Sequence, residues 1–559
     1  MSRIAVFPMF VLLLAGTASA QSWDVTWKLT NPPYKTLQDI TEMAIVKAGF
    51  DTDQDGWGEF LCAWTDLDTN AILMYEATGD NTFELVWSWV YPVAANTFAG
   101  IAVGDLNSNG VVDIVTTMPS QTGSTVNPPR VWAFEWNGVV GENAYGEYNS
   151  VSETYDPSTH WNFGLPDSYD FRPYSLTIED IDDDGQNELI VGVRQSSTGS
   201  VRQVRVVRFN GDFTGFGVWE EEYVFSEPFG GSLYNVTTGD LDNDGDKEIY
   251  AFIWNNFSMK IFECTGDRQY TEAFSVEQLY SPASVDYGAL DAVRVADADG
   301  NGSPEMYIAG TEDPNKLFMV SGITDLSLMD SLDIKEFYTI PPQVNGGFRA
   351  MYVADPDHDG NIDLMIAGEA DGRIYSLEYN GSGDPADSAN WTLSTLFNIW
   401  DEGAPLGITP RLFYGHPAGD MDKDGRSEYV FVNYSPDYAM WADDSPLWVI
   451  EIDVVSDVRD ESAPIPSVFR LGQNYPNPFN PSTTIPYSLT TRSNIRLEVF
   501  NVYGQRVALL ASGEREAGSY RASWTADVPS GTYFYRLVAQ PSDGSGASFE
   551  QVRKMILLR

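Results

Sequence analysis

Residues 239–252, GDLDNDGDKEIYAF, decide the fold of this chain. Within them, DLDNDGDKE from Asp240 places acidic side chains at positions 1, 3, 5 and 9 and Gly245 at position 6. Glycine at that point permits a sharp turn. The apolar run that follows, EIYAFI, is typical of a buried strand, and YNVTTG before the loop also has strand character. The stretch therefore predicts a hairpin whose turn is rich in carboxylates.

The same nine-residue pattern occurs seven times, at intervals of 54, 75, 60, 57, 58 and 65 residues. Every copy has Asp or Asn at positions 1, 3 and 5, Gly at position 6 and an acid at position 9. The copies are DTDQDGWGE from Asp51, DLNSNGVVD from Asp105, DIDDDGQNE from Asp180, DLDNDGDKE from Asp240, DADGNGSPE from Asp297, DPDHDGNID from Asp355 and DMDKDGRSE from Asp420. Four strand patterns per unit predict an all-β, seven-bladed β-propeller over residues 21–455.

The two ends of the chain carry different signals. Residues 1–20 have the charge, apolar run and small-residue site of a signal peptide. WDVTWKLT from Trp23 is expected to complete the last blade, because only two strand patterns follow the seventh loop. Residues 456–466 read as a linker, and residues 467–559 predict a small Ig-like antiparallel β-sandwich. No later apolar run is long enough for a transmembrane segment.

Net charge separates the two predicted domains. The chain carries −49, but residues 467–559 have ten Arg and Lys against six Asp and Glu, a balance of +4. Arg3 contributes +1 in residues 1–20, so the net charge of residues 21–466, the body of the chain, is −54. A body this acidic excludes nucleic acid and anionic membrane surfaces as partners.

The seven loops predict calcium sites. Calcium takes six to eight hard oxygen ligands, which alternate side chains at positions 1, 3 and 5, a carbonyl at position 7 and the acid at position 9 can supply. The expected ligands are Asp51, Asp53, Asp55, Trp57 and Glu59; Asp105, Asn107, Asn109, Val111 and Asp113; Asp180, Asp182, Asp184, Gln186 and Glu188; Asp240, Asp242, Asp244, Asp246 and Glu248; Asp297, Asp299, Asn301, Ser303 and Glu305; Asp355, Asp357, Asp359, Asn361 and Asp363; Asp420, Asp422, Asp424, Arg426 and Glu428.

Two alternatives bear on that prediction. An EF-hand requires a bidentate Glu at position 12, where these loops have Cys62, Thr116, Val191 and similar residues, so it is rejected. The other alternative is that the loops are Asp-Gly turns without a metal. The mutual repulsion of the clustered carboxylates argues against it. Up to seven structural Ca²⁺ ions are expected, with the second loop weakest because it supplies two carboxylates, Asp105 and Asp113.

The segments GDLDNDGDKEIYAF and ADPDHDGNIDLMIAG resemble the FG-GAP or VCBS-type repeats of integrin α-subunit propellers and bacterial surface proteins. The resemblance covers roughly residues 23–455 and implies calcium in the acidic loops. The C-terminal residues 474–480, Gly504-Gln505, Gly518, Trp524, 530–536 and 553–559 are similar to the type A sorting domain of the type IX secretion system. That similarity implies recognition by the type IX machinery and a secreted or outer-surface location.

The sequence leaves the activity of the mature protein open among three hypotheses. The first is a binding or adhesion module for a glycan or protein ligand on the propeller loops. Its candidate surface is an aromatic insertion that contains Tyr145, Tyr148, Tyr155, His160, Trp161, Phe163, Tyr169, Phe171 and Tyr174. The second is a calcium-dependent polysaccharide-degrading, lyase-like enzyme, for which no catalytic constellation is recognisable. The third is a purely structural envelope protein.

Overall fold

The computed structural model describes residues 23–452 and 469–557, apart from short gaps. The gaps are residues 35, 41, 66–68, 93–98, 119–128, 165–170, 197–201, 214–216, 228–231, 255–257, 277–291, 311–314, 342–346, 369–370, 475–476, 478, 480–481, 516–517, 527 and 542–548. The predicted signal peptide at 1–20 and the predicted linker at 456–466 lie outside the described residues. Two compact units divide the chain, Met1–Val454 and Val455–Arg559.

The first unit contains seven four-stranded antiparallel sheets among its described residues. Sheet 1 has β2 (Glu42–Phe50), β3 (Glu59–Thr65), β4 (Asn70–Gly79) and β5 (Thr82–Val90); sheet 2 has β6 (Gly100–Gly104), β7 (Asp113–Thr117), β8 (Val131–Glu135) and β11 (Thr159–Trp161); sheet 3 has β12 (Phe171–Glu179), β13 (Glu188–Ser196), β14 (Arg202–Asn210) and β15 (Val218–Glu227).

The other four sheets follow the same order. Sheet 4 has β16 (Ser232–Gly239), β17 (Glu248–Trp254), β18 (Ser258–Cys264) and β19 (Tyr270–Val276); sheet 5 has β20 (Ala292–Ala296), β21 (Glu305–Ala309), β22 (Lys316–Val320) and β23 (Lys335–Thr339); sheet 6 has β24 (Phe348–Ala354), β25 (Asp363–Gly368), β26 (Arg373–Tyr379) and β27 (Trp391–Asn398); sheet 7 has β28 (Leu412–Gly419), β29 (Glu428–Asn433), β30 (Leu447–Ile452) and β1 (Trp23–Lys28).

The sheets close into a ring. The first strand of each sheet contacts the first strand of the next, and β28 of sheet 7 contacts β2 of sheet 1. The N-terminal strand β1 pairs antiparallel with β30, with Trp23 opposite Ile452, which confirms the predicted closure. This arrangement is a β-propeller, in which closure removes exposed sheet edges.

Apolar packing between neighbouring sheets holds the ring. One buried cluster joins sheets 7 and 1 through Val430, Phe60 and Leu73, and another joins sheets 4 and 5 through Phe252 and Met306. Each of the other adjacent pairs has its own cluster. Both faces of an inner strand are therefore buried, which is why runs such as EIYAFI are continuously apolar.

Short elements interrupt this pattern. Three 3-10 helices lie at Leu37–Asp39, Leu326–Leu328 and Ser388–Asn390. Between β8 and β11 the chain forms a separate two-stranded hairpin, β9 (Glu147–Asn149) and β10 (Thr154–Asp156), within the aromatic insertion. Among the described residues, no helix has the length and apolar character needed to cross a membrane.

The second unit consists of two antiparallel sheets. One has β31 (Arg470–Leu471), β32 (Ser482–Leu489) and β35 (Gly518–Thr525); the other has β34 (Arg506–Arg515), β33 (Ser493–Asn501), β36 (Gly531–Pro541) and β37 (Phe549–Leu557). Ile485 and Trp524 of the first sheet share a buried core with Leu497 and Tyr535 of the second. The Tyr535 hydroxyl donates to the carbonyl of Gly472 at 2.8 Å and accepts from the amide of Asn474 at 2.8 Å.

Candidate metal centres

All seven acidic loops connect the first and second strands of their sheets. Position 9 is in each case the first residue of the second strand, as Glu59 of β3, Glu248 of β17 and Glu428 of β29 show. The prediction that each loop is a hairpin turn is confirmed. The first strands all line the ring centre and run in the same direction along it. The loops that follow these strands therefore all lie at the same end of their sheets.

One backbone conformation recurs in all seven loops. Glycine at position 6 has φ between 87° and 100°, a region that side chains with a Cβ rarely adopt. Position 4 is also left-handed, with φ between 55° and 67°, although only the fifth loop has glycine there. The position 4 residues are Gln54, Ser108, Asp183, Asn243, Gly300, His358 and Lys423. The left-handed conformation at position 4 was not predicted from the repeat, because its residue type varies from loop to loop.

Backbone donors fix the loop side chains. In the fourth loop the amide of Gly245 donates to Asp240 at 3.2 Å, and the amide of Asp246 donates to Asp244 at 2.9 Å. The corresponding pairs recur in the other six loops. Positions 1 and 5 are thereby turned toward the centre of the loop. Ligation by the position 7 carbonyl stays a prediction.

One carboxylate oxygen of the acid at position 9 accepts a backbone hydrogen bond, and the other has no donor in three of the loops. Oε2 of Glu59, Glu248 and Glu428 accepts the amide of position 2 at 2.8, 2.9 and 2.6 Å. The Oε1 atoms of these three side chains are buried and have no hydrogen-bond donor. Buried carboxylate oxygens without a donor are costly unless a cation neutralises them. The donor set therefore fits a hard divalent ion.

Position 9 lies close to the other acids of its loop. In the fourth loop, one oxygen from each of Asp240, Asp242, Asp244 and Glu248 lies within 4.8 Å of the others. The same is true of Asp420, Asp422, Asp424 and Glu428 in the seventh loop. The structure thus brings together the side chains that the sequence predicted as ligands in these loops.

A further carboxylate, which the sequence analysis missed, faces the loop from the third strand. In five of the loops, the residue of the third strand that lies opposite position 9 is a glutamate. The opposing residues are Glu59 and Glu76, Asp113 and Glu135, Glu248 and Glu263, Asp363 and Glu378, and Glu428 and Glu451. Oxygens of Asp53, Asp55 and Glu76 lie within 4.8 Å of one another. A recurring signal was available, since each of these acids follows an apolar residue in MYEA, AFEW, IFEC, SLEY and VIEI.

The pKa values of these acids reflect their crowding. Burial, with the charges of Asp53 and Asp51 added, raises the pKa of Glu59 to about 8. Burial and the nearby loop carboxylates raise the pKa of Glu76 to about 7, although Asn143 donates a hydrogen bond to it. The pKa of Glu428 rises to about 9 for the same reasons. Both causes favour the protonated form and are relieved by a bound cation.

The third loop differs because it contains its own cation. Arg208 of β14 takes the place of the third-strand acid, opposite Glu188. Its guanidinium lies 2.5 Å from Glu188, 2.9 Å from Asp184 and 2.9 Å from Glu222. The arginine side chain is 2% exposed. The sequence pattern placed this loop among the most acidic, but the structure fills it with a positive charge.

In the second loop, side-chain amides donate hydrogen bonds to one of the carboxylates. Asn109 and Asn107 direct their amide groups to Glu135 Oε1, at 2.6 and 3.4 Å. Burial, with the charges of Glu135 and Asp105, raises the pKa of Asp113 to about 9. Glu135 adds a third carboxylate to this loop, but its Oε1 atom already accepts hydrogen bonds from both asparagine side chains. The weak metal affinity expected of this loop stays a prediction.

In the third, fourth and seventh loops, the side chain at position 3 accepts a hydrogen bond from the neighbouring sheet. The amide of Asn81, between β4 and β5 of sheet 1, donates to Asp422 of sheet 7 at 2.6 Å. The amide of Leu326 in sheet 5 donates to Asp242 of sheet 4 at 3.0 Å. These loops therefore link neighbouring sheets as well as turning a hairpin. An ion bound in a loop would brace the ring itself.

Acid should stabilise the calcium-free protein. The raised pKa values of Glu59, Glu248 and Glu428 mean that the folded state holds protons which the unfolded state releases above its ordinary pKa of 4.5. Stability is then lost as pH rises from about 4.5 to about 9. In chelator, we expect the melting temperature to fall steadily from pH 5 to pH 9. A chelated protein that melts higher at pH 9 than at pH 5 would contradict these assignments.

The fold and loops define a class of protein: a β-propeller built from repeats, each with an acidic loop. A family profile described as FG-GAP-like repeat matches residues 51–116 and 152–251. A profile described as secretion system C-terminal sorting domain matches residues 473–545. The chain therefore carries FG-GAP-like repeats and a type IX sorting domain, which directs it to the cell surface or outside the cell. The loops from Asp297, Asp355 and Asp420 lie beyond the matched repeats but share their geometry.

Solved β-propellers are among the similar structures. The periplasmic gluconolactonase PpgL of Pseudomonas aeruginosa is 11% identical, covering 64% of this chain and 95% of its own, with a TM-score of 0.36. The Nup133 β-propeller domain of Vanderwaltozyma polyspora is 10% identical, covering 78% and 99%, with a TM-score of 0.39. The polysaccharide lyase Uly1 is 13% identical, covering 76% and 92%, with a TM-score of 0.40. No curated protein matches the sequence.

Proposed function

We propose that this protein is an exported, calcium-stabilised propeller that acts as a binding module at the cell surface. The calcium assignment is supported by the buried carboxylate oxygens that have no donor, as in Glu59, Glu248 and Glu428. The proposed calcium sites are the loops other than the third, in which the buried Arg208 takes the role of the ion. Magnesium fits less well, because it requires a smaller octahedral cage and retains its waters.

The observation that carries the binding function is the exposed hairpin of the insertion. Tyr148 is 60% exposed and Val151 is 93% exposed. The base of the hairpin is rigid, since Tyr145 is fully buried, its hydroxyl bonds Thr52, and its carbonyl accepts from Trp87 Nε1 at 3.2 Å. Aromatic and apolar groups displayed on a rigid base favour recognition of a partner.

The other aromatic residues of the insertion have different positions. Phe163, Phe171 and Tyr174 are buried in the propeller and do not form a binding surface. Trp161 is half-buried and stacks on Trp219, with ring centroids 5.7 Å apart. Tyr169 lies outside the described residues. The candidate binding surface is therefore limited to the hairpin of β9 and β10, where Tyr148 packs edge-to-face on Tyr155.

A glycan array tests this function. The parent protein should bind at least one glycan class above background, and the double variant Tyr148→Ala, Val151→Ser should bind it roughly tenfold more weakly, since an aromatic anchor is worth on the order of 1–2 kcal/mol. Leu406→Ser is the matched control, because Leu406 is 92% exposed elsewhere on the propeller. Absence of binding by the parent, or equal binding by the double variant, would remove the glycan-binding role of the hairpin.

The enzyme alternative has less support from the loops. A histidine beside an acidic loop would favour it, and His358 does lie within the sixth loop, but it is exposed and its Nε2 faces Ser427 Oγ at 3.4 Å. His160 is exposed on β11. His416 is in β28, one of the first strands that surround the ring centre.

A further inference from the structure

The centre of the ring contains a small cavity of about 50 Å³. All seven first strands contribute to its wall, including β2 through Lys47, β20 through Arg294 and β24 through Tyr352. Register shifts interrupt β2, β24 and three other first strands close to the wall. Bulges of this kind redirect side chains. The cavity is separate from the acidic loops and from the exposed hairpin.

The charge of this cavity is opposite to that of the body around it. Lys47, Arg294 and Arg349 line it from three different sheets, and no Asp or Glu is among the described lining residues. Neither Lys47 nor Arg294 forms an ion pair with a carboxylate in the part of the chain that the structure describes. The body, residues 21–466, has a net charge of −54. Two basic side chains without a carboxylate partner therefore give the cavity a charge of the opposite sign.

Aromatic groups hold the cations in place. The Arg294 guanidinium lies 4.2 Å from the centre of the Tyr352 ring, and the Arg349 guanidinium lies 4.5 Å from that of Phe413. His416 packs on Tyr352, with ring centroids 4.3 Å apart. Arg294 also donates to the carbonyl of Val293 at 2.6 Å. Lys47 and Arg294 both hydrogen-bond Tyr352, so neutral groups hold both cations without cancelling their charge.

The titration behaviour of neighbouring groups indicates a positive potential. Burial by itself raises the pKa of Tyr352, but the charges of Lys47 and Arg294 outweigh it and bring that pKa below the ordinary 10. Burial, with the same two charges, lowers the pKa of His416 to about 3. The histidine is therefore neutral at pH 7, and the positive charge comes from the lysine and the arginines.

We infer that the ring centre binds a carboxylate group through Lys47 and Arg294, two cations on the cavity wall. Arginine offers a planar pair of donors that matches the two oxygens of a carboxylate, and lysine adds a point charge. The volume accommodates about three or four waters at roughly 10–15 Å³ each, which suits a carboxylate and excludes a whole sugar ring. This site goes beyond the proposed function, since it uses neither the calcium loops nor the hairpin.

Acetate is the probe that tests the site, with acetamide as its uncharged counterpart of the same shape. Saturation-transfer NMR on the full-length mature chain in calcium buffer should show saturable acetate binding and at least tenfold weaker binding of acetamide. Lys47→Met and Arg294→Met should each weaken acetate binding by roughly ten- to a hundredfold, since a charge-assisted hydrogen bond is lost. The exposed Lys335→Met on β23 is the matched control and should bind acetate like the parent.

Folding and binding are separated by the melting temperature of each variant. Lys47→Met and Arg294→Met should melt no lower than the parent, because each removes one of several like charges around the cavity. Equal binding of acetate and acetamide, or unchanged acetate affinity in both variants, would overturn the inference. Chloride that competes as effectively as acetate would also overturn the carboxylate assignment. A failed glycan array would leave this result untouched, because the hairpin is a different surface.

Discussion

Chelation of calcium is expected to lower the melting temperature of this protein by at least about 10 °C. Each ion that binds only the folded state at a hundredfold excess over its Kd adds about 2.7 kcal/mol, and up to six loops contribute. For a domain of this size each kcal/mol corresponds to roughly 1–3 °C. The effect is large because the ions neutralise buried oxygens, such as Glu59 Oε1 and Glu428 Oε1, that have no other partner.

Differential scanning calorimetry in calcium, in EDTA and in EDTA followed by excess calcium measures this effect. Magnesium serves as the control for ionic strength and charge, and it should restore much less of the loss. Since position 3 links neighbouring sheets in three of the loops, as Asp422 does with Asn81, the chelated ring should also be cleaved faster by protease. Identical melting in calcium and EDTA would refute the calcium assignment.

Replacement of Arg208 is the second large effect. Arg208→Met leaves the buried Glu188 without its cation and also removes the pairs of Arg208 with Asp184 and Glu222. Breaking a buried ion pair in this way costs about 3–5 kcal/mol. Arg208→Glu goes further, because it restores the pattern of Glu76 opposite Glu59 and Glu451 opposite Glu428. We expect the Glu variant to be severely destabilised in EDTA and largely rescued by calcium.

Ion counting distinguishes this interpretation from simple damage to the fold. By equilibrium dialysis, Arg208→Glu should bind one more calcium ion per chain than the parent. Lys316→Met is the matched control: it breaks the pair of Lys316 with Glu336 on sheet 5, whose side chains are 35% and 39% exposed, and a pair this exposed is worth about 1 kcal/mol or less. A parent that already fills the third loop with calcium, or a Glu variant without an added ion, would show that Arg208 does not replace the metal.

Most of the loop chemistry could be predicted from the sequence. The spacing of acids and glycine in residues 239–252 is local, so the turn, the hairpin and the convergence of Asp240, Asp244 and Glu248 follow from nine consecutive residues. The strand Trp23–Lys28 could also be assigned to the last sheet, because the seventh unit lacked its fourth strand. The aromatic insertion was predicted less well, since composition does not distinguish the buried Tyr145 from the exposed Tyr148.

The partners from the third strand required the structure. Glu76 lies 17 residues from Glu59 along the chain, and Arg208 lies 20 residues from Glu188, so only the register of the strands places them opposite each other. An acid and an arginine at that point have opposite consequences for metal binding. A sequence repeat identifies the loop but not the sign of the charge that faces it.

The sequence by itself determined the repeat, the acidic turns, the closing strand and the export domain, because each depends on residues that are close in the chain or on an ordered count of repeated units. Only the tertiary structure decided which loop contains its own cation and that Lys47, Arg294 and Arg349 meet at one cavity. Those residues come from sheets 1, 5 and 6, and they become neighbours because ring closure directs the first strand of every sheet to a common centre. Electrostatic energy depends on distance in space, which chain separation does not specify.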